Sequence, residues 1–109
     1  MEGCNSNQDG GKIAIQLLSR KWALEILYQI GSHQAVRFNE LQRNVKGITK
    51  KVLNDRLKEL IEHQIILRKV YDEMPLRVEY SFTEHGKKLA PAIELLHLWG
   101  VEHLNQIKK

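Results

Sequence analysis

The stretch Lys46 to His63, KGITKKVLNDRLKELIEH, constrains this chain more than any other. Leu53, Leu57, Leu60 and Ile61 recur at the spacing of an amphipathic helix, and an apolar stripe of that kind needs a core to pack on. The opposite side gathers Lys51, Asn54, Asp55 and Lys58, with Thr49 and Lys50 at the amino-terminal end and Arg56 on the flank. Such a face is either a solvated exterior or a reader of nucleic acid. The spacing alone does not choose.

A chain of 109 residues is long enough for one core and too short for two. Its 42% apolar and 28% charged residues are ordinary for a globular protein and argue against general disorder. No apolar run approaches the ~20 residues that span a bilayer, and no signal peptide is recognisable, so the expected setting is cytoplasmic with no membrane partner. A single cysteine, Cys4, excludes an internal disulfide, which fits a reducing compartment. The net charge of +4 is modest, but Arg43, Lys46, Lys50, Lys51, Arg56 and Lys58 crowd one stretch that holds only Asp55 as an acid. That clustering suits phosphate binding or a lysine-rich solvated face.

Residues 1–11 are rich in Gly and Asn without periodicity, and they read as a flexible arm in which Cys4 is incidental. The remainder, residues 12–109, reads as one domain. From Lys12 to Ile30 the apolar residues are too widely spread for one helical face. Two helices are expected, the second capped near Ser19, ending at Gly31 and burying Trp22, Ile26 and Ile30. A short strand at Val36-Arg37 follows. Asn39 with Gln42 forms a capping-box pattern for a short helix through Val45, Gly47 suits a positive φ in the next turn, and Thr49 caps the long helix. Residues 39–63 thus form a helix-turn-helix pattern.

Ile65 to Tyr71 and Leu76 to Phe82 are β-rich runs around the turn Asp72-Glu73-Met74-Pro75, a hairpin spanning residues 65–82. Two strands alone are marginal, so Val36-Arg37 is expected as a third. Thr83 should cap a last helix over residues 83–107, bent at Pro91. That helix and the first carry more apolar surface than one small core can use. A partner subunit would bury Ile13, Leu17, Ile93, Leu96, Trp99 and Leu104.

From about Ile13 to Trp99 the chain resembles the HxlR family of bacterial winged helix-turn-helix transcriptional regulators. The resemblance is carried by Lys21-Trp22, Ile26-Leu27, Arg37-Phe38-Asn39-Glu40-Leu41, Gly47-Ile48-Thr49-Lys50-Lys51-Val52-Leu53 and Arg56-Leu57-Lys58-Glu59-Leu60. It continues in Pro75-Leu76-Arg77-Val78-Glu79-Tyr80, Thr83-Glu84-His85-Gly86, Pro91 and Trp99, and the order and intervals make it specific. It implies an α+β, mainly helical winged helix-turn-helix with N- and C-terminal dimerisation helices. It also implies a homodimer on operator DNA, with Ile48 to His63 as the recognition helix and Tyr71 to Arg77 as the wing. Redox sensors of the family carry a cysteine shortly before the lysine-tryptophan position. Cys4 lies farther upstream and Ser19 replaces the usual glycine, which argues against a thiol switch here.

A helix fits the major groove, where base edges are distinguishable, while phosphate contacts fix position. Lys51 and Asn54 are the expected base readers, with Lys50, Arg56 and Lys58 on bases or backbone, Thr49 at the helix start, and Arg43, Lys46 and Arg77 on flanking phosphates. A dimer would place two such helices roughly 34 Å apart on an inverted repeat of double-stranded DNA. The five histidines show no metal-ligand spacing, and neither a phosphate loop nor a nucleophile motif appears, so no enzyme, metal or cofactor is expected. The alternative is a winged-helix protein-interaction module without sequence-specific DNA binding. No effector is legible.

Overall fold

The computed structural model describes residues 9–108, in the order α1 (Gly10–Leu18), α2 (Ala23–His33), β1 (Ala35–Arg37), α3 (Phe38–Asn44), α4 (Lys50–Glu62), β2 (Ile66–Tyr71), β3 (Arg77–Phe82), α5 (Glu84–Lys87) and α6 (Ala90–Ile107). Cys4 and most of the expected arm lie outside the described residues. The first helix starts at Gly10, earlier than expected. Asp9 explains this, since its Oδ1 accepts from Lys12 N at 3.1 Å and caps the first turn.

Ser19 ends α1 instead of opening α2, its amide donating to the Ile15 carbonyl at 2.8 Å. The second helix begins after Trp22, whose φ of 78° is unusual for a bulky residue. Long-range contacts hold that turn: Arg56 Nε donates to the Lys21 carbonyl at 2.9 Å, and Trp22 packs against the core. Gly31 does not end α2, which runs on to His33 and stops at Gln34 with φ 67°. Ile26, Leu27 and Ile30 are fully buried on its inner face.

The short helix α3 opens one residue before the expected cap. Arg37 N donates to Glu40 Oε1 at 2.9 Å, so the returning acid of a capping box is Glu40 and not Gln42. Gly47 carries the expected positive φ, at 94°, in the turn to α4. Thr49 Oγ1 accepts from Val52 N at 3.2 Å, and Leu53, Leu57 and Leu60 are buried along the stripe read from the sequence. Each such burial contributes about 1.5–3 kcal/mol.

The sheet has the order β1-β3-β2 and is antiparallel throughout, with Val36 opposite Tyr80 and Ile66 opposite Phe82. The expected third strand is therefore present, and it docks the hairpin onto the helices. Val36, Ile66 and Tyr80 close the core from the sheet side.

The last helix is not one bent rod. Thr83 Oγ1 accepts from Gly86 N at 2.8 Å and starts only the short α5; a new helix, α6, begins at Ala90 with Pro91 in its first turn. Proline lacks an amide hydrogen, so it starts a helix at no cost where a kink was expected. Ile93 is 5% exposed and belongs to the core of its own chain. That burial withdraws it from the surface available to a second subunit.

Candidate nucleic-acid interface

The helix α4 divides by face. Its leucine stripe is buried, while Lys50, Lys51, Asn54 and Lys58 are exposed on the arc away from it. Lys46 in the preceding turn, Thr49 at the cap and Arg43 on α3 are exposed as well, so seven of the nine residues expected to touch DNA lie open to solvent. Among the described residues Arg43, Lys46, Lys50 and Lys58 form no ion pair, which leaves their charge available to an external anion. Lys51 pairs with Asp55 at 3.1 Å, but at 84% side-chain exposure this is a weak surface pair that an incoming phosphate or base edge can displace.

Two expected contacts are occupied inside the fold. The Arg56 side chain is 17% exposed; besides the Lys21 carbonyl it meets Glu59 at 3.5 Å. Glu59 also takes Arg20 at 3.0 Å, so one carboxylate joins the α1–α2 turn to α4. Arg77 sits between Glu73 and Glu79, 2.9 Å from each, with its guanidinium carbon 3.7 Å from the Tyr71 ring centre. The hydrogen bond that Arg77 donates to Glu73, and then the two negative charges, raise the Arg77 pKa above its ordinary value despite desolvation. Arg77 therefore braces the wing and has no charge left over for phosphate.

The sequence reading passed over Arg68 and Lys69, both exposed on β2. Lys69 Nζ lies 5.0 Å from the Tyr71 ring centre. Strand alternation predicts only one exposed cation there, but the wing projects past the core and leaves both faces wet. The adjacent Arg-Lys pair in a strand was the available signal.

No helix of the described residues is long and apolar enough to cross a membrane, and no cluster of three potential metal-binding side chains occurs among them. The model of the HxlR-like helix-turn-helix family matches residues 17–108. The chain is 40% identical over 89 residues to the protein named as regulatory protein MalR of Fusobacterium mortiferum, covering 82% of this chain and 84% of that one. It is 37% identical over 98 residues to the HTH-type transcriptional regulator YdzF of Bacillus subtilis (strain 168), covering 90% of each. A crystal structure from Porphyromonas gingivalis W83, described as a transcriptional regulator of the MarR family, superposes with a TM-score of 0.81 at 38% identity, covering 88% of this chain and 93% of that one. These relatives are regulators and not enzymes, and the superposed crystal structure shares the architecture described above. The chain belongs to the HxlR-like helix-turn-helix family of transcriptional regulators.

Proposed function

We propose that this regulator binds a specific operator as a homodimer in the cytoplasm, with α4 in the major groove of each half-site and the β2–β3 wing on the flanking backbone. The observation that carries this reading is the division of α4, whose exposed arc holds Lys50, Lys51, Asn54 and Lys58 opposite a fully packed leucine stripe. Asn54 and Lys51 read base edges. Lys50 and Lys58 serve bases or backbone, Thr49 lies at the helix start, and Arg43 and Lys46 hold flanking phosphates. Arg68 and Lys69 take the wing contact expected of Arg77, because Arg77 is neutralised by two carboxylates.

The second subunit covers the outward apolar residues of α1 and α6. Ile13, Leu96, Trp99 and Leu104 are each more than half exposed, and Leu17 is half-buried against the core. With two recognition helices related by a twofold axis, the preferred operator is an inverted repeat.

Selection of bound genomic fragments gives the operator, and mobility shifts on it test the assignment. Asn54→Ala should lower operator affinity by about 1–3 kcal/mol while leaving scrambled duplex nearly unchanged. Equal loss on both DNAs would remove Asn54 from base reading. Wild-type protein that shifts no duplex even at low salt would favour a protein-binding winged helix instead.

A further inference from the structure

A cleft runs between α2 and the α5–α6 junction, floored by Phe82 of β3. Two adjoining cavities of about 390 and 460 Å³ share Gly31, Phe82 and Lys87 in their walls. That is the size of a small-molecule site. Nothing in the DNA-binding reading uses it.

The lining has a definite chemistry. Phe82, Tyr28 and Ile93 supply aromatic and aliphatic surface, and Tyr28 is held by a stacked His97 at 4.6 Å. The space exists because position 31 has no side chain, since a Cβ there would stand 3.2 Å from Phe82 Cε2. Two charged residues reach the cleft. Lys87 meets Glu84 at 3.1 Å in an exposed surface pair, and Glu94 has no ion pair among the described residues, so two carboxylates stand against one ammonium there. The balance of charge at the cleft is therefore negative, beside aromatic rings, a combination that attracts cations through both the formal charge and the ring quadrupole.

We propose that this cleft binds a small lipophilic organic cation, its charged head beside Glu94 and its apolar body against Phe82 and Tyr28. An organic anion would meet the excess negative charge of Glu84 and Glu94 over Lys87. A neutral molecule would leave Glu94 unused. The site is separate from the DNA-facing arc of α4, and its test is read on the protein without DNA, so this proposal and the DNA-binding reading fail independently.

Calorimetric titration of the full chain with benzyltrimethylammonium, benzyl alcohol and phenylacetate tests it. The cation should bind saturably and at least about tenfold more tightly than phenylacetate, and Glu94→Gln, at an exposed position that leaves folding intact, should remove most of that preference. Gly31→Leu should abolish binding by filling the cleft, while ring-proton shifts at Phe82 and Tyr28 on titration of the wild type locate the ligand without relying on that variant. Phenylacetate binding as tightly as the cation, an unchanged preference in Glu94→Gln, ring shifts confined to residues elsewhere, or no binding of any probe up to about 5 mM would overturn the proposal.

Discussion

Arg56 and Lys58 lie two positions apart on one helix, yet the structure gives them opposite duties. Arg56 ties the α1–α2 turn to α4 through the Lys21 carbonyl and Glu59, and Lys58 points to solvent without an ion pair among the described residues. Replacing Arg56 by alanine removes the hydrogen bond that ties the Lys21–Trp22 turn to α4 and should cost about 1 kcal/mol of stability, read as a lower midpoint in urea. Lys58→Ala should keep that midpoint within about 0.5 kcal/mol and instead weaken DNA binding, with the salt dependence flattened by about one counterion. A sequence cannot separate these two cations, because Lys21 and Arg56 are 35 residues apart and only the folded chain brings them together.

At the scale of elements, the joints are more sensitive than the helices. Gly86 of α5 is buried against the backbone of Ile65, and an added Cβ would overlap the Ile65 carbonyl. Thr83 Oγ1 closes the same joint by donating to the Gln64 carbonyl at 2.7 Å. Gly86→Ala should destabilise the protein by about 2 kcal/mol or more, measured by thermal or urea denaturation, since backbone cannot yield as a flexible side chain can. Elements fixed by adjacent residues were legible from the sequence: the Thr49 cap, the leucine stripe of α4, the Gly47 turn and the three-stranded sheet. The Ser19 cap was misread because the start of α2 is set by Trp22 packing and by Arg56 from a distant helix. Pro91 was misread because its effect depends on whether it falls inside a helix or at its start. Seven of the nine residues expected at DNA are exposed, as the spacing along α4 and the turn before it predicts. Arg56 and Arg77 are drawn into the fold instead, Arg56 by the Lys21 carbonyl 35 residues away and Arg77 by the hairpin geometry that brings Glu73 and Glu79 to it.

The whole molecule is less compact than its length predicts. Its radius of gyration is 15.8 Å, against about 13 Å expected for a chain of this size. Along the long α6, Leu95, Leu96, Leu98, Trp99, Val101, Leu104 and Ile107 are each 45–66% exposed. An isolated chain would present that apolar face to water, and the second copy of the proposed dimer would cover it. On that proposal, Leu96→Glu combined with Leu104→Glu should give a folded monomer in sedimentation velocity and weaken operator binding at least tenfold, because two half-sites would no longer be engaged together. A wild-type protein that sediments as a monomer at micromolar concentration would exclude this arrangement.

The division of α4 into packed and open faces has a consequence for how such regulators diverge. Leu53, Arg56, Leu57, Glu59 and Leu60 answer to the fold, while Lys50, Lys51, Asn54 and Lys58 answer to nothing inside the chain beyond one surface pair. The two sets alternate along one helix without sharing a position. On the proposed reading of operator DNA by those open positions, operator preference can drift by substitution there with little loss of stability, and a descendant can acquire a new target gene while inheriting the same scaffold.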